Sequence, residues 1–198
     1  MSFELDEMRL KALLLLDPES GYTVDDFNNE FGDIDNQEDI NNEYLSDYKI
    51  KLSFVNESDN EDPQYATNGS SGFDLRANLT KTIKLSPKGG FAIVPTGLFF
   101  EIPNGFEIQV RSRSGLASKN QVCVLNSPGT VDSDYIGEVK VILINHGVNE
   151  FIVNHGDRIA QAVLATVSAK SVVNLVRVNN ISKNTERNSG GFGSTGIN

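Results

Sequence analysis

Short segments of alternating apolar and polar residues, separated by turn-forming residues, run through most of this chain. Clear examples are Tyr48–Leu52, Phe106–Val110 and Glu138–Leu143. Successive side chains of a β-strand point to opposite faces, so this alternation is typical of strands with one buried face. Clusters of proline, glycine and asparagine separate the segments, as at 87–90 and 103–105. Many short strands without a long helical segment predict an all-β fold, either a sandwich, a barrel or a jelly roll.

The acidic residues of the chain are concentrated at its N-terminus. Residues 1–46 contain thirteen acidic and two basic residues, whereas the remainder is nearly neutral and the whole chain carries a formal net charge of −10. This balance disfavours stable binding to nucleic acid, although basic residues that converge can still bind a small polyanion. The longest apolar run, Ala12 to Leu16, is too short for a membrane span. With one cysteine and no internal disulfide, a cytoplasmic location is expected, in a host cell if the source is viral.

Residues 1–47 are predicted to form a short helical extension and a linker. Apolar residues from Leu5 to Leu16 recur at helical spacing, and Pro18 ends that helix because the residue before proline avoids the helical conformation. Thr23, followed three residues later by Asp26, resembles the hydrogen-bonded box that begins many helices. Two interpretations stay open: the extension binds an unknown protein partner, or it packs on its own chain.

Several polar, glycine-rich segments suit phosphate binding. Arg113, Ser114 and Gly115 combine a guanidinium, a hydroxyl and a residue that lets a ligand approach the backbone closely. A second segment, Gly190–Gly196, contains Phe192, which suits an arm that closes over a flat ring. Each segment alone also fits an exposed turn or a flexible terminus, and neither is the lysine-containing phosphate loop.

Carboxylates beside turns are the candidates for water activation and metal binding. Asp132 lies in the turn-rich segment Asn126–Tyr135, where a carboxylate beside a bound phosphate can act as a general base toward water. Asp74 lies between apolar neighbours at the start of a predicted strand and is a candidate for binding Mg²⁺ through water. A plain turn aspartate and a strand-end carboxylate are the alternative interpretations.

Five segments, taken in order, resemble the five motifs of the trimeric deoxyuridine triphosphatase (dUTPase) family. They are Ser71–Ala77, Arg113–Ala117, Asn126–Gly137, Gly156–Gln161 and Arg187–Gly196. The resemblance covers about residues 48–198 and leaves the acidic extension unmatched. It implies a dUTPase-type jelly roll, or β-clip, in residues 48–181. It also implies a homotrimer in which residues 182–198 form a flexible arm that closes a neighbouring subunit's site.

The resemblance implies Mg²⁺-dependent hydrolysis of dUTP to dUMP and pyrophosphate, which lowers dUTP and supplies dUMP for thymidylate synthesis. Asp132 would activate the water that attacks the α-phosphorus, and Tyr135 would pack under the deoxyribose and exclude a 2′-hydroxyl. Asp74 would reach Mg²⁺ through water, with the metal held mainly by the triphosphate. The implied substrate-binding residues are Arg113, Ser114, Gly115, Asn126, Thr130, Val131, Tyr135, Gln161, Arg187, Phe192, Gly193, Ser194 and Thr195.

Three positions depart from the family pattern. Phe73 stands where tyrosine is usual, Ile136 where arginine is frequent, and Asn188 where glycine is usual. Two other functions stay open. One is a dCTP deaminase of the same fold, which needs a catalytic glutamate beside the pyrimidine, with Glu138 as the residue to test. The other is an interaction protein that is gated by dUTP and binds its partner through residues 1–46.

Overall fold

The computed structural model describes residues 50–168 and 173–181, together with Thr23, Asp26, Thr185, Ser189 and Gly190. Residues 50–168 form eleven β-strands and one short α-helix. In chain order these are β1 (Ser53–Asn56), β2 (Phe73–Arg76), β3 (Ile83–Leu85), β4 (Gly90–Pro95), β5 (Leu98–Glu101), β6 (Phe106–Arg111), α1 (Ser114–Asn120), β7 (Val122–Val124), β8 (Gly129–Val131), β9 (Lys140–Asn145), β10 (Phe151–Val153) and β11 (Arg158–Thr166). Within the described part of the chain, no helix is both long enough and apolar enough to span a membrane.

The strands pair into antiparallel sheets that enclose one core. One sheet has the strand order β2-β11-β6-β8 and another the order β4-β9-β7, while β1 pairs with β5 and β3 pairs with β10. Leu75 and Ile108 of the first sheet belong to the same buried cluster as Val141 and Leu143 of the second. The predicted all-β fold is confirmed.

The alternating segments at Phe106–Val110 and Glu138–Leu143 contribute strands as predicted. Ile108 and Val110 are buried in β6, and Val141 and Leu143 are fully buried in β9. The intervening side chains point away from the core because the side-chain period of a strand is two residues.

The alternating segment Tyr48–Leu52 is a different case, because its described part, residues 50–52, is not in a strand. The strand begins at Ser53, which lies opposite Glu101, the last residue of β5. Continuing the pairing would place residue 51 opposite Pro103, which has no N–H to donate and begins a turn to Phe106. The partner strand therefore ends before this segment can pair within its own chain.

Asn145, at the end of β9, is a fully buried polar residue. Its amide nitrogen donates hydrogen bonds to the carbonyl oxygens of Leu85 (3.0 Å) and Asn149 (2.8 Å). Its Oδ1 accepts a hydrogen bond of 2.8 Å from the N–H of Gly147. One side chain thus joins β9, β3 and the following turn, and satisfies main-chain groups that would otherwise be buried without partners.

Two residues of the predicted extension, Thr23 and Asp26, are described. The N–H of Thr23 donates to Asp26 Oδ2 at 2.8 Å, and the N–H of Asp26 donates to Thr23 Oγ1 at 3.2 Å. These reciprocal bonds are those of a capping box, with aspartate in place of the usual glutamate. The rest of the extension lies outside the described residues, and the division into residues 1–47, 48–181 and 182–198 stays a prediction.

Candidate active site

Asp74 and Gln161 lie opposite each other on β2 and β11, and Gln161 also lies opposite Arg111 of β6. Residues paired in this way project from the same face of an antiparallel sheet. The Gln161 amide nitrogen donates a hydrogen bond of 3.0 Å to the carbonyl oxygen of Ser112. This bond fixes the backbone just before Arg113, so residues predicted from three separate motifs come together on one sheet face.

The Asp74 carboxylate pairs with two arginines. Arg113 Nε donates to Asp74 Oδ1 at 2.8 Å, and Arg158 Nη1 donates to Asp74 Oδ2 at 3.2 Å. Arg113 Nη1 also donates to the carbonyl oxygen of Arg158 at 3.2 Å. The Asp74 side chain is about one-third exposed, so an incoming polyanion can reach this cluster and compete with the carboxylate for Arg113.

Ser114 and Gly115 begin helix α1 rather than lying in an exposed turn. Arg113 is the N-cap residue, with an extended backbone at φ −85° and ψ 129°. Ser114 and Gly115 are exposed, and a Cβ added to Gly115 would meet no heavy atom within 4 Å. The backbone beside Arg113 is therefore open to a ligand, as the sequence predicts.

The segment Asn126–Gly137 contains β8, which pairs with β6. A Cβ added to Gly129 would lie 3.2 Å from the amide nitrogen of Asn126 and 3.3 Å from Cβ of Val110. Glycine at this position therefore lets the Asn126 amide lie close to the strand. The close approach of Asn126 to Gly129 depends on the path of the turn between them. The residue types in the turn do not determine that path.

Asp132 and Tyr135 follow β8, and both side chains are exposed in the single chain. The N–H of Tyr135 donates to the carbonyl oxygen of Asp132 at 3.1 Å, which fixes the spacing of the two residues. Thr130, Val131, Asp132 and Tyr135 line a cavity of about 250 Å³. Its remaining lining residues are Ile93, Glu138, Val139, Lys140 and Ile142. A cavity with an apolar wall and a few polar groups is suited to a flat, partly apolar ligand.

The Asp74 cluster and the Asp132 cavity lie apart on the chain. Asp74 opens into a second cavity of about 260 Å³, and among the described residues the two cavities have no lining residue in common. β2 and β8 are the two edge strands of their sheet, with β11 and β6 between them. Three inter-strand steps of about 4.8 Å separate these edge strands by roughly 14 Å.

Arg187, Phe192, Gly193, Ser194 and Thr195 lie outside the described residues, as does Asn188. The other two departures from the family pattern are described. Phe73 is buried and packs edge-on against Tyr65, with ring centroids 5.7 Å apart. Ile136 is 85% exposed. At Phe73 the chain therefore lacks a hydroxyl group within a buried aromatic cluster. At Ile136 it has an apolar side chain in place of a charge on the surface.

No group of three or more histidine, cysteine, aspartate or glutamate side chains within the described residues could hold a metal ion directly. Both carboxylate oxygens of Asp74 already accept hydrogen bonds from arginine. This arrangement does not fit a metal bound only by protein. It fits a Mg²⁺ ion that is held mainly by a phosphate ligand, since Mg²⁺ keeps several of its waters.

Comparison with known proteins identifies the family. A model of the dUTPase family matches residues 58–196. The deoxyuridine 5′-triphosphate nucleotidohydrolase of Neorickettsia sennetsu is 55% identical over 138 residues, which cover 70% of this chain and 89% of that protein. The enzyme of the same name from Rhizobium rhizogenes is 54% identical over 137 residues, covering 68% of this chain and 85% of that protein.

Solved structures agree on the fold. The dUTPase of Staphylococcus bacteriophage 80alpha, in a mutant form with dUpNHpp, matches with a TM-score of 0.65 and 22% identity, over 74% of this chain and 99% of that chain. A mutant dUTPase from phage phi11 of S. aureus, which coordinates a structural Mg(II) ion, matches with a TM-score of 0.59 over 68% of this chain and 100% of that chain, at 20% identity. The predicted jelly roll is confirmed, and the chain belongs to the dUTPase family.

Proposed function

We propose that this chain is a dUTP diphosphatase, which hydrolyses dUTP to dUMP and pyrophosphate. The observation that carries the proposal is the family match, which spans residues 58–196 and so includes all five motifs. Two described sites supply the parts that the reaction needs. The Asp74–Arg113 cluster offers charge for a triphosphate, and the Asp132 cavity offers a carboxylate beside an apolar pocket.

Asp132 acts as the general base in the proposed mechanism. Its exposed carboxylate removes a proton from the water that attacks the α-phosphorus, and the proton comes to rest on a carboxylate oxygen. The Tyr135 ring packs against the deoxyribose, while Asn126, Thr130 and Val131 present side-chain and backbone groups to uracil. Cytosine has an amino group, a hydrogen-bond donor, where uracil has a carbonyl oxygen, an acceptor. A backbone donor that pairs with uracil would therefore face another donor in cytosine, and buried polar groups would be left unpaired.

Arg113, Ser114, Gly115 and Gln161 bind the triphosphate in the proposed mechanism. Phosphoryl transfer depends mainly on positioning and on neutralising charge, and the Arg113 guanidinium supplies both through paired hydrogen bonds. Asp74, which is held in place by two arginines, would accept hydrogen bonds from the water molecules of a Mg²⁺ ion bound to the phosphates, and that ion would supply positive charge to offset theirs.

We propose a homotrimer in which different subunits contribute the two parts of each site. The separation of the two cavities supports this arrangement, because Asp74, which pairs with Arg113, lies on β2, whereas Asp132 follows β8 at the opposite edge of the same sheet. Exposed apolar side chains offer area for subunit contacts, notably Phe91 (63% exposed), Ile93 (57%) and Leu175 (93%). Residues 182–198 close the neighbouring site, with Phe192 over uracil and Arg187, Gly193, Ser194 and Thr195 toward the γ-phosphate.

Glu138, the residue that a dCTP deaminase would need, lines the Asp132 cavity, but both of its carboxylate oxygens have partners in the protein. Glu138 Oε1 accepts a hydrogen bond of 2.9 Å from the N–H of Gly97, and Oε2 lies 3.4 Å from Nζ of Lys140. Both oxygens are therefore engaged in holding neighbouring segments. A protein partner for residues 1–46 also stays a prediction, tested by comparing partner capture by the full chain and by a chain lacking those residues.

The direct experiment measures pyrophosphate release by the purified chain in Mg²⁺ with dUTP, dCTP, dTTP and UTP offered separately. The expected result is rapid release from dUTP alone, because the hairpin selects the base and Tyr135 selects the sugar. Release from none of the four would contradict the proposal. Ammonia production from dCTP would instead support the deaminase.

A further inference from the structure

Strand β11 contains a β-bulge near its first residue, beside the candidate site. Gln161 lies opposite Asp74 and Ala160 opposite Leu75, but Arg158 lies opposite Arg76, so β11 has one residue more than β2 in this stretch. Ile159 and Ala160 are consecutive and both are buried. A bulge of this kind inserts one residue into a strand and redirects the side chains beyond it.

The bulge determines which way Arg158 points. A regular register would place Arg158 opposite Ala77, whose side chain is fully buried. The extra residue instead sets Arg158 opposite Arg76, two residues from Asp74 and on the same face of β2. The interruption of the strand pairing thus moves a guanidinium from the core face to the face that carries Asp74.

Arg158 contacts both members of the Asp74–Arg113 pair. Its Nη1 donates to Asp74 Oδ2 at 3.2 Å, while its carbonyl oxygen accepts a hydrogen bond of 3.2 Å from Arg113 Nη1. Arg113 Nε occupies the other carboxylate oxygen at 2.8 Å. Of the two arginines that pair with Asp74, Arg113 also belongs to the proposed phosphate site and Arg158 does not.

We propose that Arg158 is a positioning residue for the triphosphate site. When Arg113 turns toward the phosphates, Asp74 loses one cationic partner while a polyanion approaches it. Arg158 then neutralises and orients the Asp74 carboxylate, and its charge also weakens the hold of Asp74 on Arg113. This inference rests on the proposed function, since it assigns Arg158 a role in binding the Mg²⁺–dUTP complex.

A double-mutant cycle between Arg158→Gln and Asp74→Asn tests the proposal. The readouts are binding of a non-hydrolysable dUTP analogue in Mg²⁺ by calorimetry, and KM and kcat for dUTP. Arg158→Gln should weaken binding and raise KM by about fivefold, the size expected for a partly exposed ion pair. The change in kcat should stay within about twofold, because the lost interaction is made equally in the ground and transition states. Arg158→Lys should recover part of the loss.

The Asp74→Asn background separates positioning from a general structural effect. In the Asp74→Asn background, Arg158→Gln should cause no further loss of analogue binding, because Arg158 acts through the Asp74 carboxylate. Arg76→Gln is the matched control: Arg76 lies opposite Arg158 but donates to the carbonyl oxygen of Gly156 and to Glu61 instead. It should bind the analogue like the wild type, and all variants should keep the wild-type thermal midpoint and assembly size.

Three results would overturn the proposal: unchanged binding in Arg158→Gln, the same loss in the Asp74→Asn background, or a wild type that does not bind the analogue. Failure of the proposed function has a different signature. In that case the wild type binds the analogue but releases no pyrophosphate from dUTP, and the cycle still reports on Arg158.

Discussion

The hydroxyl group of Tyr135 donates a hydrogen bond of 2.9 Å to the carbonyl oxygen of Glu138, so the aromatic ring folds back over Gly137. A Cβ added to Gly137 would lie 2.6 Å from the Tyr135 hydroxyl oxygen and 2.7 Å from Cζ. Glycine at this position is therefore what lets the ring lie against its own turn. The ring in turn forms part of the wall of the Asp132 cavity.

Replacing Gly137 with alanine should displace the Tyr135 ring. KM for dUTP should rise about tenfold, the lower end of the range for lost pocket contacts, and discrimination against UTP should fall. Steady-state kinetics with both nucleotides measure the effect. Gly69→Ala is the control, because a Cβ there would meet no heavy atom within 4 Å. Equal behaviour of the two variants would mean that the ring is not set by Gly137.

Replacing Asp132 with asparagine should leave nucleotide binding intact and slow hydrolysis. Asparagine has nearly the same shape but cannot accept the proton, and positioned general bases contribute roughly 10²- to 10⁴-fold to rates. Calorimetry with a non-hydrolysable analogue and pyrophosphate release separate binding from chemistry. Asp134→Asn, also at an exposed position of the same turn, should keep near-normal turnover. Near-normal turnover in Asp132→Asn would remove Asp132 from the role of base.

Replacing Asn145 with alanine should destabilise the fold without touching either cavity. The variant leaves the carbonyl oxygens of Leu85 and Asn149 and the N–H of Gly147 without their partner. The expected loss is about 3 kcal/mol in the free energy of unfolding, measured by urea at fixed protein concentration. Asn149→Ala removes an exposed side chain and should change stability by less than about 0.5 kcal/mol. A small effect at Asn145 would indicate that water replaces its hydrogen bonds.

Removing residues 184–198 should abolish most activity and leave the assembly intact. The glycine-rich motif is proposed to close the site and exclude water other than the nucleophile, and the residues of the described core lie outside it. Light scattering gives the mass of the assembly, and pyrophosphate release gives the activity. A shortened chain that is monomeric would mean that the tail holds the subunits together.

Local patterns in the sequence predict the strands and most candidate residues, because alternation and turn chemistry act over a few neighbours. The sequence predicts Arg113 for the triphosphate and Asp74 for Mg²⁺ through water, but it does not predict the ion pair between them. Arg158 lies within the fourth motif, but its direction depends on a bulge in strand pairing, so its role does not follow from the sequence. Two adjacent apolar residues, Ile159 and Ala160, were the available signal for that bulge.

Long-range packing explains two other features of the structure that the sequence does not predict. Asn145 reads as a polar residue at a strand end, and its burial follows from β3 and the next turn closing around it. The described part of the strand predicted at Tyr48–Leu52, residues 50–52, is not in a strand for a related reason: a strand needs a partner, and the pairing with β5 ends at Glu101. Pattern alone does not show where a partner strand ends.

The separation of the Asp74 cluster from the Asp132 cavity has a consequence for genetics in the proposed trimer. A chain that lacks Asp132 still has an intact phosphate cluster, and a chain that lacks Arg113 still has an intact base. Co-assembling two such inactive chains would reunite both intact parts in some interfaces, so two defective alleles would complement each other. A chain defective in one part still supplies its other part to a neighbour, so the number of working sites equals the number of wild-type chains and a single mutant allele would not inhibit the product of a normal one.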